Sequence, residues 1–116
     1  MTKTHEPIKQ AVLDYFEGWF DADVVRMERA LHPDLVKRER GTTLGVTTKE
    51  RMLKLTAEGE GREAAAGRTL DIDIEITDVS EDIASVTVRT AVYYEYLHLV
   101  RTPGGWKIAN ALWRPA

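Results

Sequence analysis

Residues 70–76 read Leu-Asp-Ile-Asp-Ile-Glu-Ile, and this alternation decides the fold class. Apolar side chains recur at every second position, with Asp71, Asp73 and Glu75 between them. A chain patterned that way is a β-strand with one buried and one wet face. From here to the end the period stays near two. Ala84, Val86 and Val88 alternate with Ser85, Thr87 and Arg89 after a turn over Asp78–Asp82. Tyr96–Arg101 forms a further strand, with a break expected near Tyr93–Glu95, because one strand from Ile83 to Arg101 would be unusually long. Pro103-Gly104-Gly105 turns the chain, and Trp106–Trp113 returns as the last strand.

Before Leu70 the period is helical. Ile8, Val12, Tyr15, Phe16 and Trp19 share one face of a first helix. Thr4 is its expected cap, with Glu6 and Pro7 in the first turn. Asp21 or Asp23 caps a second helix carrying Val24, Met27 and Leu31, which Pro33 ends. So short a connection predicts a helical hairpin. Leu35–Arg40 reads as a short strand whose Lys37-Arg38-Glu39-Arg40 run suits an exposed edge. Thr47 and Glu50 have capping-box spacing ahead of a third helix with Met52, Leu53 and Leu55. Glu58–Arg68, with three glycines and no apolar face, reads as a mobile loop with a weak helical turn at Ala64-Ala65-Ala66, one that could act as a lid. Three helices followed by antiparallel strands make an α+β two-layer fold, here one domain over residues 1–116.

Composition narrows the function. With 116 residues the chain can bury an ordinary core without staples. The net charge of −3 argues against a nucleic-acid partner. There is no cysteine, so disulfides and thiolate metal sites are excluded. The opening residues carry no apolar run and predict no signal peptide, and no stretch approaches a membrane span. A cytoplasmic protein is expected. Three histidines with no i, i+4 pair predict no metal site, and no phosphate loop or nucleophile elbow is present.

Several phrases carry a resemblance over nearly the whole chain: Tyr15-Phe16-Glu17-Gly18-Trp19, the run Met27–Leu35, Tyr96-Leu97-His98-Leu99, and Trp106–Trp113. The chain resembles the nuclear-transport-factor-2-like superfamily, which also holds ketosteroid isomerases, scytalone dehydratases and polyketide cyclases. It is most similar to the bacterial group called "putative lumazine-binding". The resemblance implies a cystatin-like cone, three N-terminal helices packed on a strongly curved antiparallel sheet. It also implies a homodimer through the sheet's outer face and a pteridine ligand. Fold alone does not supply a function.

The candidate ligand-binding residues are Tyr15, Trp19, Met27, His32, Tyr96, His98, Trp106 and Asn110. His32 either meets a ligand at the pocket mouth or caps carbonyls at the end of the second helix. His98 shares a face with Tyr96 and Val100, but the neighbouring Leu97 and Leu99 are also apolar, so parity leaves its direction open. Asn110 shares a face with Trp106, Ile108 and Leu112, where a buried amide needs a partner. The aromatics can stack on a flat heterocycle or simply fill the core. The function expected is therefore a small-molecule-binding protein with an apolar, aromatic pocket between the first helix and the last two strands, no cofactor being specified. The alternative is an isomerase, dehydratase or cyclase using His32 or His98 as general base. No Asp or Glu falls on a clearly inward strand position, which weakens the ketosteroid-isomerase analogy.

Overall fold

The computed structural model describes residues 2–41 and 43–116, with side chains from His5 onward. Helix α1 spans Thr2–Phe20 and buries Ile8, Val12, Tyr15 and Phe16, as their spacing predicts. It starts two residues before the expected cap, so Pro7 lies inside it; the side chain of Thr4 lies outside the described residues. Ala22 turns the chain through a left-handed φ of 54°, and the Asp23 carboxylate caps α2, Val24–Ala30, by accepting from Arg26 N at 3.1 Å. The two helices form the expected hairpin. Gly18 makes it close, since a Cβ there would stand 3.0 Å from Met27 N. Asp14, nearly buried, ties the pair together by accepting from Arg26 Nε at 3.0 Å and Arg29 Nε at 2.9 Å.

Strand β1, Leu31–Glu39, follows α2 with no loop. Pro33 therefore stands inside a strand instead of beyond a helix. The register with β6 shifts between Leu31 and Val36, so Pro33 owes no ladder hydrogen bond there. The expected exposed edge at Lys37–Arg40 is likewise corrected. β1 is covered by the short β2, Val46–Thr47, on one side and runs parallel to β6 on the other. Helix α3, Lys49–Ala57, is capped by Thr48 and not by Thr47. The expected loop contains a short helix, α4, Glu60–Ala65. It needs no apolar stripe, because Gly61 brings its backbone against Trp19: a Cβ on Gly61 would lie 2.3 Å from Trp19 O.

β3, Asp73–Ser80, and β4, Ile83–Arg89, form a hairpin whose turn, Glu81–Asp82, is tighter than expected. The break before β5, Tyr93–Thr102, falls at Thr90–Val92, where Thr90 Oγ1 accepts from Tyr93 N at 2.9 Å. A two-residue turn joins β5 to β6, Gly105–Pro115, with Gly105 at φ 106°. The sheet order is β2-β1-β6-β5-β4-β3. It is curved and unclosed, with the helices packed on its inner face, so the α+β cone is as expected.

One irregularity resets the faces of the last strand. His98 pairs with Asn110 and Leu99 with Ile108, leaving Ala109 as an extra residue in β6. A bulge of this kind shifts the alternation by one. Trp106 and Ile108 face inward before it, Ala111 after it, and Asn110 and Leu112 turn outward. The expected shared face of Asn110 with Trp106 and Ile108 is thereby corrected.

Candidate functional site

Among the described residues the buried polar side chains are few: Thr56, Thr87, Asp14 beneath its arginines, and one charged cluster inside the core. Tyr15 on α1, Lys37 on β1 and Glu95 on β5 meet inside it, at 2%, 8% and 1% exposure. Lys37 is in phase with Leu31 and Leu35 on the buried face of β1, and Glu95 with Leu97 and Leu99 on that of β5. Strand alternation thus carries both charges inward. Tyr15 Oη donates to Glu95 Oε1 at 2.9 Å and accepts from Lys37 Nζ. Lys37 Nζ is 3.9 Å from Glu95 Oε2, an ion pair without a direct hydrogen bond.

Aromatic rings enclose the ammonium. Its Nζ stands 5.0 Å from the Tyr15 ring centroid, 5.7 Å from that of Trp19 and 5.4 Å from that of Trp113, all within cation–π range. Trp19 Nε1 donates to Tyr93 Oη at 2.9 Å, and the Tyr93 ring meets Trp113 edge-on at 5.2 Å. Each side chain is thereby fixed by another element.

Burial decides the electrostatics. Loss of water pushes the Glu95 carboxyl above its ordinary range, against the opposing pull of Lys37 and the Tyr15 hydrogen bond. It lowers the Lys37 ammonium, against the field of Glu95. The Tyr15 hydroxyl is raised well above its usual value, by burial first and by Glu95 second. Each shift favours the neutral form of its group. An acid, a base and a bridging hydroxyl in contact can pass a proton or hold a polar ligand edge.

The eight residues expected to line one pocket do not converge. Tyr15, Met27 and Trp106 are in the core, and Trp19 is half-buried beside Lys37. Tyr96, His98 and Asn110 lie on the opposite, outer face of the sheet, exposed. There they line open clefts of about 420 and 560 Å³ together with Val36, Leu44, Ile83 and Leu112. None of the clefts delineated among the described residues is lined by Tyr15, Lys37 or Glu95. His32 belongs to β1, not to the end of α2; its Nδ1 accepts from Asp34 N at 3.0 Å instead of capping the helix.

The expectation that no acidic residue faces inward is overturned by Glu95. The missed residues, Lys37 and Glu95, are charged, and charged strand residues ordinarily face water. Their signal was parity, each standing two residues from an apolar neighbour of the buried face.

Comparison with known proteins agrees with this architecture. A family model described as "Putative lumazine-binding" matches residues 3–114. An NTF-2-like protein of unknown function from Silicibacter pomeroyi superposes with TM-score 0.76 at 18% identity, covering 100% of this chain and 99% of the other. A second, from Shewanella baltica, gives 0.77 at 14% identity over 99% and 95%. A ketosteroid isomerase-like protein from Erwinia carotovora atroseptica gives 0.62 at 20% identity over 93% and 92%. At such identities these structures share the fold. No curated protein matches the chain.

Proposed function

The chain belongs to the family described as "Putative lumazine-binding", and from that premise we propose that it binds a small, flat heteroaromatic molecule such as lumazine at the Tyr15–Lys37–Glu95 cluster. The observation that carries this reading is Lys37. Its Nζ makes one hydrogen bond, to Tyr15, among the described residues, while a buried ammonium has three donors to satisfy. Burying such a charge costs several kcal/mol unless partners compensate. A ring carbonyl or ring nitrogen supplies the acceptor that the ammonium lacks, and Trp19 and Trp113 offer faces for stacking. Both rings are half-buried and stand between the cluster and solvent; since no cleft among the described residues opens onto the cluster, a ligand reaches Lys37 only by displacing them. Titration with lumazine should quench tryptophan fluorescence and raise the melting temperature. If neither changes, the ligand assignment fails.

A second reading follows from Glu95. A buried carboxyl with the Lys37 ammonium 3.9 Å away has the make-up of a general base with an opposing donor, which suits isomerase or dehydratase chemistry. The base would be Glu95, since His98 stands on the other face of the sheet. Proton exchange at the α-carbon of a cyclic ketone in heavy water, followed by NMR, tests it. A rate equal to that of Glu95→Gln removes it.

The outer face supports self-association. Tyr96 and Leu112, register partners on adjacent strands, expose large apolar side chains there, with Ile83 further along β4, and exposed apolar groups on one sheet face commonly mark an interface.

A further inference from the structure

The cluster's charges suggest in which form it takes its heterocycle. Facing one another are Tyr15 from α1, Lys37 from β1, and Tyr93 and Glu95 from β5. The cation and the anion of this group are not in hydrogen-bond contact, because Tyr15 Oη stands between them. Glu95 is thus linked to the interior through a hydroxyl that already points a proton at it. Lys37 keeps donors for another acceptor.

We propose that the cluster binds an N–H-acidic heterocycle as its anion, the ring proton passing through Tyr15 to Glu95 while Lys37 holds the negative charge. The ring N–H bond breaks and its electron pair stays on nitrogen. The Tyr15 oxygen takes that proton as it releases its own to Glu95 Oε1. The carboxylate becomes a carboxylic acid, Tyr15 is regenerated, and Lys37 remains an ammonium. The buried charge is zero before the step, ammonium with carboxylate, and zero after it, ammonium with ring anion. A low-dielectric interior tolerates a transfer that creates no net charge. Burial favours the protonated form of Glu95, in the same direction, and disfavours the Lys37 ammonium, an effect that the adjacent ring anion offsets. This inference rests on the ligand reading given above and narrows it to heterocycles with an acidic ring N–H, the class to which the pteridine-diones belong.

The test is the absorption spectrum of lumazine bound to the full chain, recorded at a pH well below that at which free lumazine ionises. The bound spectrum should be that of the anion. Glu95→Gln cannot accept the proton, so lumazine bound to it should show the neutral spectrum; Lys37→Met should lose the anion band too. A dimethylated lumazine lacking both ring N–H groups should bind at least about tenfold more weakly, equivalent to ~1.4 kcal/mol. Saturable binding to the wild type with a neutral spectrum overturns the inference and leaves the binding function standing. Absence of any lumazine binding overturns both. Should Glu95→Gln fail to fold, the wild-type spectrum and the dimethylated analogue decide alone.

Discussion

Tyr15 on the first helix and Glu95 on the fifth strand, 80 residues apart, meet through a 2.9 Å hydrogen bond inside the core. The bond joins helix layer to sheet at a point where both partners are shut off from water. An unsatisfied carboxylate there would cost more than most single contacts contribute. The cluster therefore constrains the fold as well as any ligand, and its protonation should appear in the stability of the whole domain.

Glu95 sets the sign of that dependence. The folded carboxyl sits above its ordinary value of 4.5, so between 4.5 and the folded value the native state holds a proton that the unfolded chain has lost. The stability contributed by this group is complete below 4.5 and is lost as the pH rises through the folded value. Glu95→Gln cannot titrate. The melting temperature of the wild type, relative to this variant, should fall from pH 4.5 towards neutrality in a series of thermal melts. Parallel curves for the two proteins would contradict the assignment.

The elements were easier to read from the residues than the site was. The stripe Ile8–Val12–Tyr15–Phe16 and the alternation from Leu70 onward have one period each, and each yields its element. β5 is different: Tyr96, Leu97, His98 and Leu99 are bulky on both faces, so hydrophobicity alone does not orient it. The bulge at Ala109 is equally silent, because no glycine or proline marks it, and it moves Asn110 to the outer face. Helix α4 has no periodic signal, since what places it is a missing side chain at Gly61. A two-residue phase argument from Leu35 and Leu97 would have brought Lys37 and Glu95 inward. For Lys37 the general exposure of charged residues opposes that argument, and for Glu95 the break expected near Tyr93–Glu95 leaves no strand to carry the phase.

Gly61 offers a direct test of how α4 is held. A Cβ at this position would lie 2.3 Å from Trp19 O and 2.5 Å from Trp19 Cγ. Gly61→Ala should therefore push α4 off α1, at a cost of about 1–3 kcal/mol for overpacking. It should also disturb the Trp19–Tyr93 hydrogen bond and shift the tryptophan emission. Gly59→Ala is the control. Its φ of +81° is strained for alanine, yet nothing stands within 4 Å of the added carbon. That variant should lose about 1–2 kcal/mol with the emission unchanged. Denaturant melts read by fluorescence would separate the two, and equal emission spectra would show that α4 does not bear on Trp19.

Asp14 should show the opposite pH behaviour from Glu95. Burial alone would raise its carboxyl, but hydrogen bonds from Arg29 and Arg26 outweigh that and hold it below 3.8. A lowered folded value means stability that is present above 3.8 and lost as the pH falls through the folded value. Arg29 is exposed and Arg26 partly so, and solvent screens the pair. Asp14→Asn should therefore cost only about 1–2 kcal/mol at neutral pH. The deficit should shrink in acid, where wild-type Asp14 is protonated too. Equilibrium urea unfolding at neutral and acidic pH measures both values; a deficit independent of pH would place the role of Asp14 elsewhere.

The proposed self-association makes its sharpest demand at Leu112. This residue is 45% exposed, and its register partners are Tyr96 on one side and Arg38 on the other, near the middle of the outer sheet face. In a two-fold dimer each residue of the interface occurs twice, so a single charge placed there is repeated across the axis. Leu112→Glu then buries a pair of like charges, and the loss of affinity exceeds what removing one apolar contact would cause. The monomer fold should survive, because the Leu112 side chain is not part of the core. Size-exclusion chromatography with light scattering should find the wild type at twice the mass of this variant, with similar far-ultraviolet circular dichroism for both. Ile83→Glu, nearer the β3–β4 turn, should weaken the dimer less. A wild type that elutes as a monomer at high concentration would mean that Ile83, Tyr96 and Leu112 are exposed for some purpose other than pairing with a second copy of this chain.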